Sequence, residues 1–142
     1  MSQLYLLDTN VLSEPLRPDP NPHVMQRMME HRGEVCTGAP VWNELLYGCY
    51  RLPPSRRRRT LEDYLHRTLG QNLTVLPYDR DAAEQHASER ARLALVGLTP
   101  AFVDGQIAAI ALTHGLRLAT RNVDDFANFQ ELVCEDWHAS AA

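Results

Sequence analysis

Leu4-Tyr5-Leu6-Leu7-Asp8-Thr9-Asn10 begins with four apolar residues, ends on an acid and turns at once into residues that cap helices. A continuous apolar run of this length reads as a strand buried on both faces, because a half-exposed strand would alternate. Thr9 and Asn10 can cap a short helix running through Ser13 to Leu16. The same alternation continues downstream. Val35-Cys36-Thr37, Leu73 to Leu76, Leu116 to Ala119 and Leu132-Val133-Cys134 read as further strands. Between them lie helical stretches at Val24 to His31, Val41 to Tyr50, Ser55 to Leu69, Asp79 or Asp81 to Leu95, and Ala101 to Thr113. Pro40 sits at a helix start, where its missing N–H costs nothing. Strands alternating with helices predict an α/β fold with a mostly parallel sheet.

The bulk composition bounds the function. One domain is expected for 142 residues, with no repeat and no linker, and the Ala139–Ala142 tail is expected to fray. No apolar run is long enough to span a membrane, and no basic segment precedes the first strand, so a cytoplasmic protein is expected. Cys36, Cys49 and Cys134 are odd in number and widely spaced, and read as small buried hydrophobes. All fourteen basic residues are arginine. Without lysine, P-loop kinases, lysine-dependent receiver domains and Schiff-base enzymes are excluded.

The acids carry the chemistry. Asp8 ends the first strand. Glu44 lies in Pro40-Val41-Trp42-Asn43-Glu44, and Asp104 in Phe102-Val103-Asp104-Gly105-Gln106. Asn122, Asp124 and Asp125 follow Thr120-Arg121. In an open parallel sheet, ligands bind beyond the carboxyl ends of the strands. Asp8 and the 120–125 segment occupy that edge, and the helices bearing Glu44 and Asp104 begin near it. If three carboxylates met within about 5 Å, each pair would repel by roughly 3 kcal/mol at an effective dielectric near 20. Three such pairs threaten a domain whose whole stability is about 5–15 kcal/mol. Oxygen donors without histidine or cysteine favour Mg²⁺ or Mn²⁺ over zinc, and with them phosphoryl transfer or phosphodiester hydrolysis. Each acid also has a plain alternative: Asp8 and Asn10 as helix caps, Glu44 as a solvated helix residue, Asp125 as a turn cap, Asp124 as surface.

Together, Leu7-Asp8-Thr9-Asn10-Val11-Leu12, Glu44, Asp104-Gly105-Gln106-Ile107-Ala108-Ala109 and Thr120-Arg121-Asn122-x-x-Asp125-Phe126 resemble the PIN-domain ribonucleases, above all VapC toxins and their Fit-type relatives. The resemblance covers Leu4 to Trp137 and implies a single PIN domain over 1–142, with a core of about 3–137 and a three-layer α/β/α fold. It implies Mg²⁺ or Mn²⁺ held by Asp8, Glu44 and Asp104, with Asn122 and Asp125 competing for a fourth catalytic position. Thr9, Asn10 and Thr120 would orient carboxylates. The implied reaction is metal-assisted endoribonucleolytic hydrolysis leaving a 5′-phosphate and a 3′-hydroxyl. Neutral amides at Asp8 or Asp104 are expected to abolish it and to relieve repulsion.

The resemblance also implies a homodimer and a cognate VapB-like antitoxin, with operator DNA contacted only through that antitoxin. Arg56, Arg57, Arg58, Arg59 and Arg121 are candidate RNA contacts, although a four-residue run covers all sides of a helix and part of it must be merely solvated. A haloacid-dehalogenase-type phosphatase also starts with a strand ending in Asp, but it needs an acid where Asn10 stands, and a lysine. A PIN domain that binds RNA without cutting it is the alternative that Asn122 leaves open.

Overall fold

The computed structural model describes residues 3–140. Five strands, β1 (Tyr5–Leu7), β2 (Val35–Gly38), β3 (Thr74–Leu76), β4 (Arg117–Ala119) and β5 (Cys134–Glu135), form one sheet in the order β3-β2-β1-β4-β5. Every pairing is parallel, so the sheet is wholly rather than mostly parallel. β1 is central and all three of its residues are buried, as its unbroken apolar run requires. Register places Leu7 beside Ala119. The next residues, Asp8 and Thr120, therefore leave the sheet side by side, and the Asp8 N–H still reaches the Ala119 carbonyl at 3.0 Å.

Six α-helices lie among the described residues: α1 (Thr9–Leu12), α2 (Pro22–Glu30), α3 (Ala39–Tyr50), α4 (Arg56–Asp63), α5 (Arg80–Leu95) and α6 (Phe102–Thr113). α5 and α6 pack on each other, α6 also meets β4, and α3 bridges α1, α6, β2 and β3. α6 buries Ile107, Ala108, Ala109, Ile110 and Ala111, so its small apolar face is central, as expected. Gly115, at φ +64°, closes it in the left-handed region, where a side chain would be strained.

Several boundaries move for local reasons. Asp8, not Thr9 or Asn10, caps α1, and a 3₁₀ turn at Glu14–Leu16 follows where a single helix was expected. α2 starts at Pro22, because the Asn21 side chain takes the N–H groups of His23 and Val24. Ser55 caps α4 as expected, but the Tyr64–Leu69 segment continues it as a π-helix to Gly70. Of the two candidate caps for α5, Asp79 is the one used. β5 falls one to two residues later than the apolar run suggests, because Glu135 is held by Tyr5 and Arg117 (3.1 and 2.9 Å) and by the indole N–H of fully buried Trp137 at 3.2 Å.

Candidate active site

Asp8 is buried at the end of β1. One carboxylate oxygen accepts the Thr9 N–H, and the other accepts the Thr120 hydroxyl, both at 2.8 Å. Thr120 is fully buried, and its Oγ1 also accepts the Asn122 N–H at 3.0 Å and the Asn10 amide at 3.4 Å. With both lone pairs taken, that hydroxyl can only donate to Asp8. The Asn10 Oδ1 accepts the Arg121 N–H at 3.0 Å, which straps α1 across residues 120–122. On the other side, the Thr9 hydroxyl donates to Glu44 Oε2 at 3.0 Å. Thr9 and Thr120 thus each hold a carboxylate, Asn10 reaches Asp8 only through Thr120, and Asp8 also caps a helix.

Asp104 sits in the first turn of α6, half-buried. A helix N-terminus favours a carboxylate, yet burial and then the charges of Asp125, Asp8 and Glu44 push its pKa up to about 6. All four acids therefore lie within one field, drawn from β1, α3, α6 and the 3₁₀ turn Val123–Phe126. Among the described residues, no three Asp, Glu, His or Cys side chains stand close enough to grip one ion as arranged. The expected meeting at ligating distance is looser here, because Asp8 is committed to Thr9 and Thr120, and Glu44 to Thr9, while Glu44 and Asp125 are exposed. The donor set still suits a hard divalent cation: four carboxylates, hydroxyls that orient them, and a half-buried acid destabilised in its charged form.

Of the two candidates for the fourth position, Asp125 acts on Asp104 more strongly than any other carboxylate. Asn122 contributes its backbone N–H to Thr120. The arginines divide. Arg58 is turned to structure, bonded to Glu62 at 2.7 Å and to the Leu52 carbonyl at 3.1 Å, with its guanidinium 5.8 Å from the Tyr50 ring. Arg56, Arg57 and Arg59 face solvent on α4, and Arg121 faces solvent beside the acids.

One part of the site gives little signal in sequence. His86 on α5 is buried, its Nδ1 is 2.8 Å from the Tyr78 hydroxyl, and its ring sits against Gly105 so closely that a Cβ there would overlap the imidazole. Burial, and then Arg90, hold His86 below the usual histidine range. The Asp104 turn is thus docked on α5 through a residue that cannot carry a side chain. A glycine inside an otherwise strong helix, costly by propensity, was the available signal.

The sequence model of the PIN domain matches residues 5–132. The toxin FitB of Neisseria gonorrhoeae is 33% identical over 141 residues, covering 95% of this chain and 99% of that protein. The tRNA(fMet)-specific endonuclease VapC of Salmonella typhimurium is 31% identical over 134 residues, covering 94% and 97%. The solved structure of FitAB bound to a DNA fragment superposes with a TM-score of 0.90 at 28% identity, covering 98% of this chain and 99% of that one.

Proposed function

The chain belongs to the PIN-domain family, and from that premise we propose that it is a VapC-type toxin of a toxin–antitoxin pair that hydrolyses RNA phosphodiesters with Mg²⁺ or Mn²⁺. The observation that carries the reading is the set of four acids at the carboxyl edge of the sheet, where Asp125, Asp8 and Glu44 all act on the half-buried Asp104. The names of the relatives support it, since they include a toxin and an endonuclease.

In this reading Asp8, Glu44 and Asp104 hold the ion, and Asp125 supplies the fourth carboxylate in preference to Asn122. Held there, a divalent cation would supply a lowered pKa for water and positive charge against the phosphate. The Thr120 and Thr9 hydroxyls fix the rotamers of Asp8 and Glu44, so the acids are oriented before substrate arrives. His86 and Gly105 fix the turn that bears Asp104. The exposed Arg56, Arg57 and Arg59 are the proposed contacts to the RNA backbone, whereas Arg58 is already engaged.

The partners follow the same reading: a VapB-like antitoxin, operator DNA reached through it, and a homodimer. The solved FitAB structure bound to a DNA fragment supports the DNA part of that reading. The described elements share one sheet and one core, which supports a single domain with a core of about 3–137. No helix is long and apolar enough to cross a membrane, and the proposed location is the cytoplasm.

The test is cleavage of single-stranded and transfer RNA by wild type, Asp8→Asn and Asp104→Asn, with Mg²⁺ and with EDTA, alongside circular dichroism. Metal-dependent cutting lost in both folded variants is expected. Cutting that survives EDTA and both substitutions would sink the assignment.

A further inference from the structure

A cavity of about 310 Å³ opens beside the acid edge, lined among others by Glu14, Arg17, Asp19, Asn21, Arg121 and His138. Its floor is fixed. Glu14 is 3% exposed, accepts the Asn21 N–H at 3.0 Å and faces the His138 Nε2 at 3.0 Å, while the Asn21 amide donates to the His138 carbonyl at 3.3 Å. Its wall toward the acids is Arg121. That residue lies between Thr120 and Asn122, and its N–H is pinned by Asn10. The backbone under the cavity is therefore the same backbone that orients Asp8.

Of the two guanidiniums, Arg121 is uncommitted and Arg17 is held only at long range. Among the described residues Arg121 forms no ion pair. Arg17 is 61% exposed at its side chain and only approaches Glu14 at 3.8 Å, whose oxygens are already taken by Asn21 and His138. Asp19, at the rim, is the one exposed acid. Arginine forks, one free and one loosely paired, beside an edge that carries several carboxylates match a ligand that carries phosphate and would otherwise be repelled by those acids. The volume lies at the small end of ligand sites, suited to one nucleotide rather than a folded segment.

We propose that this cavity is a subsite for an RNA nucleotide adjacent to the bond that is cut, with its phosphate held by Arg17 and Arg121. The assignment rests on the ribonuclease reading above. It adds a second anchoring point that sets where along the strand the scissile phosphate comes to rest.

The experiment titrates a short fluorescent single-stranded RNA with the full chain in EDTA across a salt series, for wild type, Arg17→Ala, Arg121→Ala and, as a control, the exposed Arg67→Ala. Each cavity variant is expected to lower the slope of log affinity against log salt by about 0.7, one single-strand phosphate contact, while the control leaves it unchanged. With Mg²⁺, both cavity variants should show roughly tenfold lower kcat/KM and blurred cut positions. Normal cleavage with unchanged slopes overturns the subsite and leaves the function standing. Unchanged RNA slopes with weakened binding of the co-expressed antitoxin also overturn it, reassigning the cavity to a protein partner. No RNA cleavage by wild type removes the function and the subsite together.

Discussion

Asp104→Asn is expected to make the metal-free protein more stable at neutral pH. The Asp104 carboxyl holds its proton more tightly in the folded chain than in the unfolded one, with its pKa moved from 3.8 to about 6 by burial, Asp125, Asp8 and Glu44. Two units are worth about 3 kcal/mol at 1.36 kcal/mol per unit. The side chain is only half-buried, so solvent screening reduces this to about 1–2 kcal/mol. Because the folded pKa is raised, the native state binds the extra proton. This group's contribution to stability therefore falls as pH rises from about 4 to about 6, and the penalty is complete above that. An amide carries no such penalty. In EDTA at about pH 8, urea unfolding should place the variant about 1–2 kcal/mol above wild type, a Tm gain of about 3–8 °C. The gap should close toward pH 4, where Asp104 is protonated in both states. Mg²⁺ should stabilise wild type and narrow the gap from the other side. Asp124→Asn, a neutralisation at an exposed position, should change little. A variant no more stable than wild type at pH 8, or a gap independent of pH, would show that burial and the neighbouring acids do not penalise the charged form of Asp104.

The same neutralisation at Asp8 should have the opposite sign. Both Asp8 oxygens accept, and an amide would set its NH₂ against either the Thr9 N–H or a Thr120 hydroxyl whose lone pairs are already filled, so Asp8→Asn should cost about 1–3 kcal/mol in EDTA by urea melt, and a gain would refute the network. Thr120→Val should cost a similar amount, by stranding the Asn122 N–H and one Asp8 oxygen, and should cut cleavage far more than overall helicity. Gly105→Ala should lower Mg²⁺ affinity, read by calorimetry, through overlap with the His86 ring. His86→Ala placed on top should recover much of that loss, and no recovery means the two residues are uncoupled. Trp137→Ala should cost about 3–5 kcal/mol from a fully buried position, and a loss under 1 kcal/mol in a chemical melt would contradict the packing of the C-terminal segment.

The parts of the fold that could be seen in the sequence are those governed by short-range pattern. The apolar run before Asp8 reads as a buried strand, and a parallel sheet then brings Asp8 and the 120–125 segment to one edge. Convergence of the acids followed from that topology. Its tightness did not, because side chains bond to their nearest donors, and those pairings, Thr120 to Asp8 and Thr9 to Glu44, span 112 and 35 residues. Arg58 looked like its three neighbours until its rotamer was seen to serve Glu62 and Leu52. His86 and Gly105 are 19 positions apart, on different helices, and only their contact gives the glycine a purpose. Glu14 and His138 lie 124 residues apart, so the cavity between them has no local signature. The reversal at Asp8 has the same origin: charge repulsion is visible in a list of acids, and an occupied hydroxyl is not.

The strand order carries a consequence for synthesis. β1 emerges from the ribosome first, but one of its two neighbours, β4, is made more than a hundred residues later, and Thr120 arrives with it. Until then Asp8 has no hydroxyl to orient it, and Asp104 and Asp125 do not yet share a site with it. The arrangement of acids proposed above to cut RNA is therefore complete only once Thr120 and Asp125 have been made and have joined β1, late in the order of the chain.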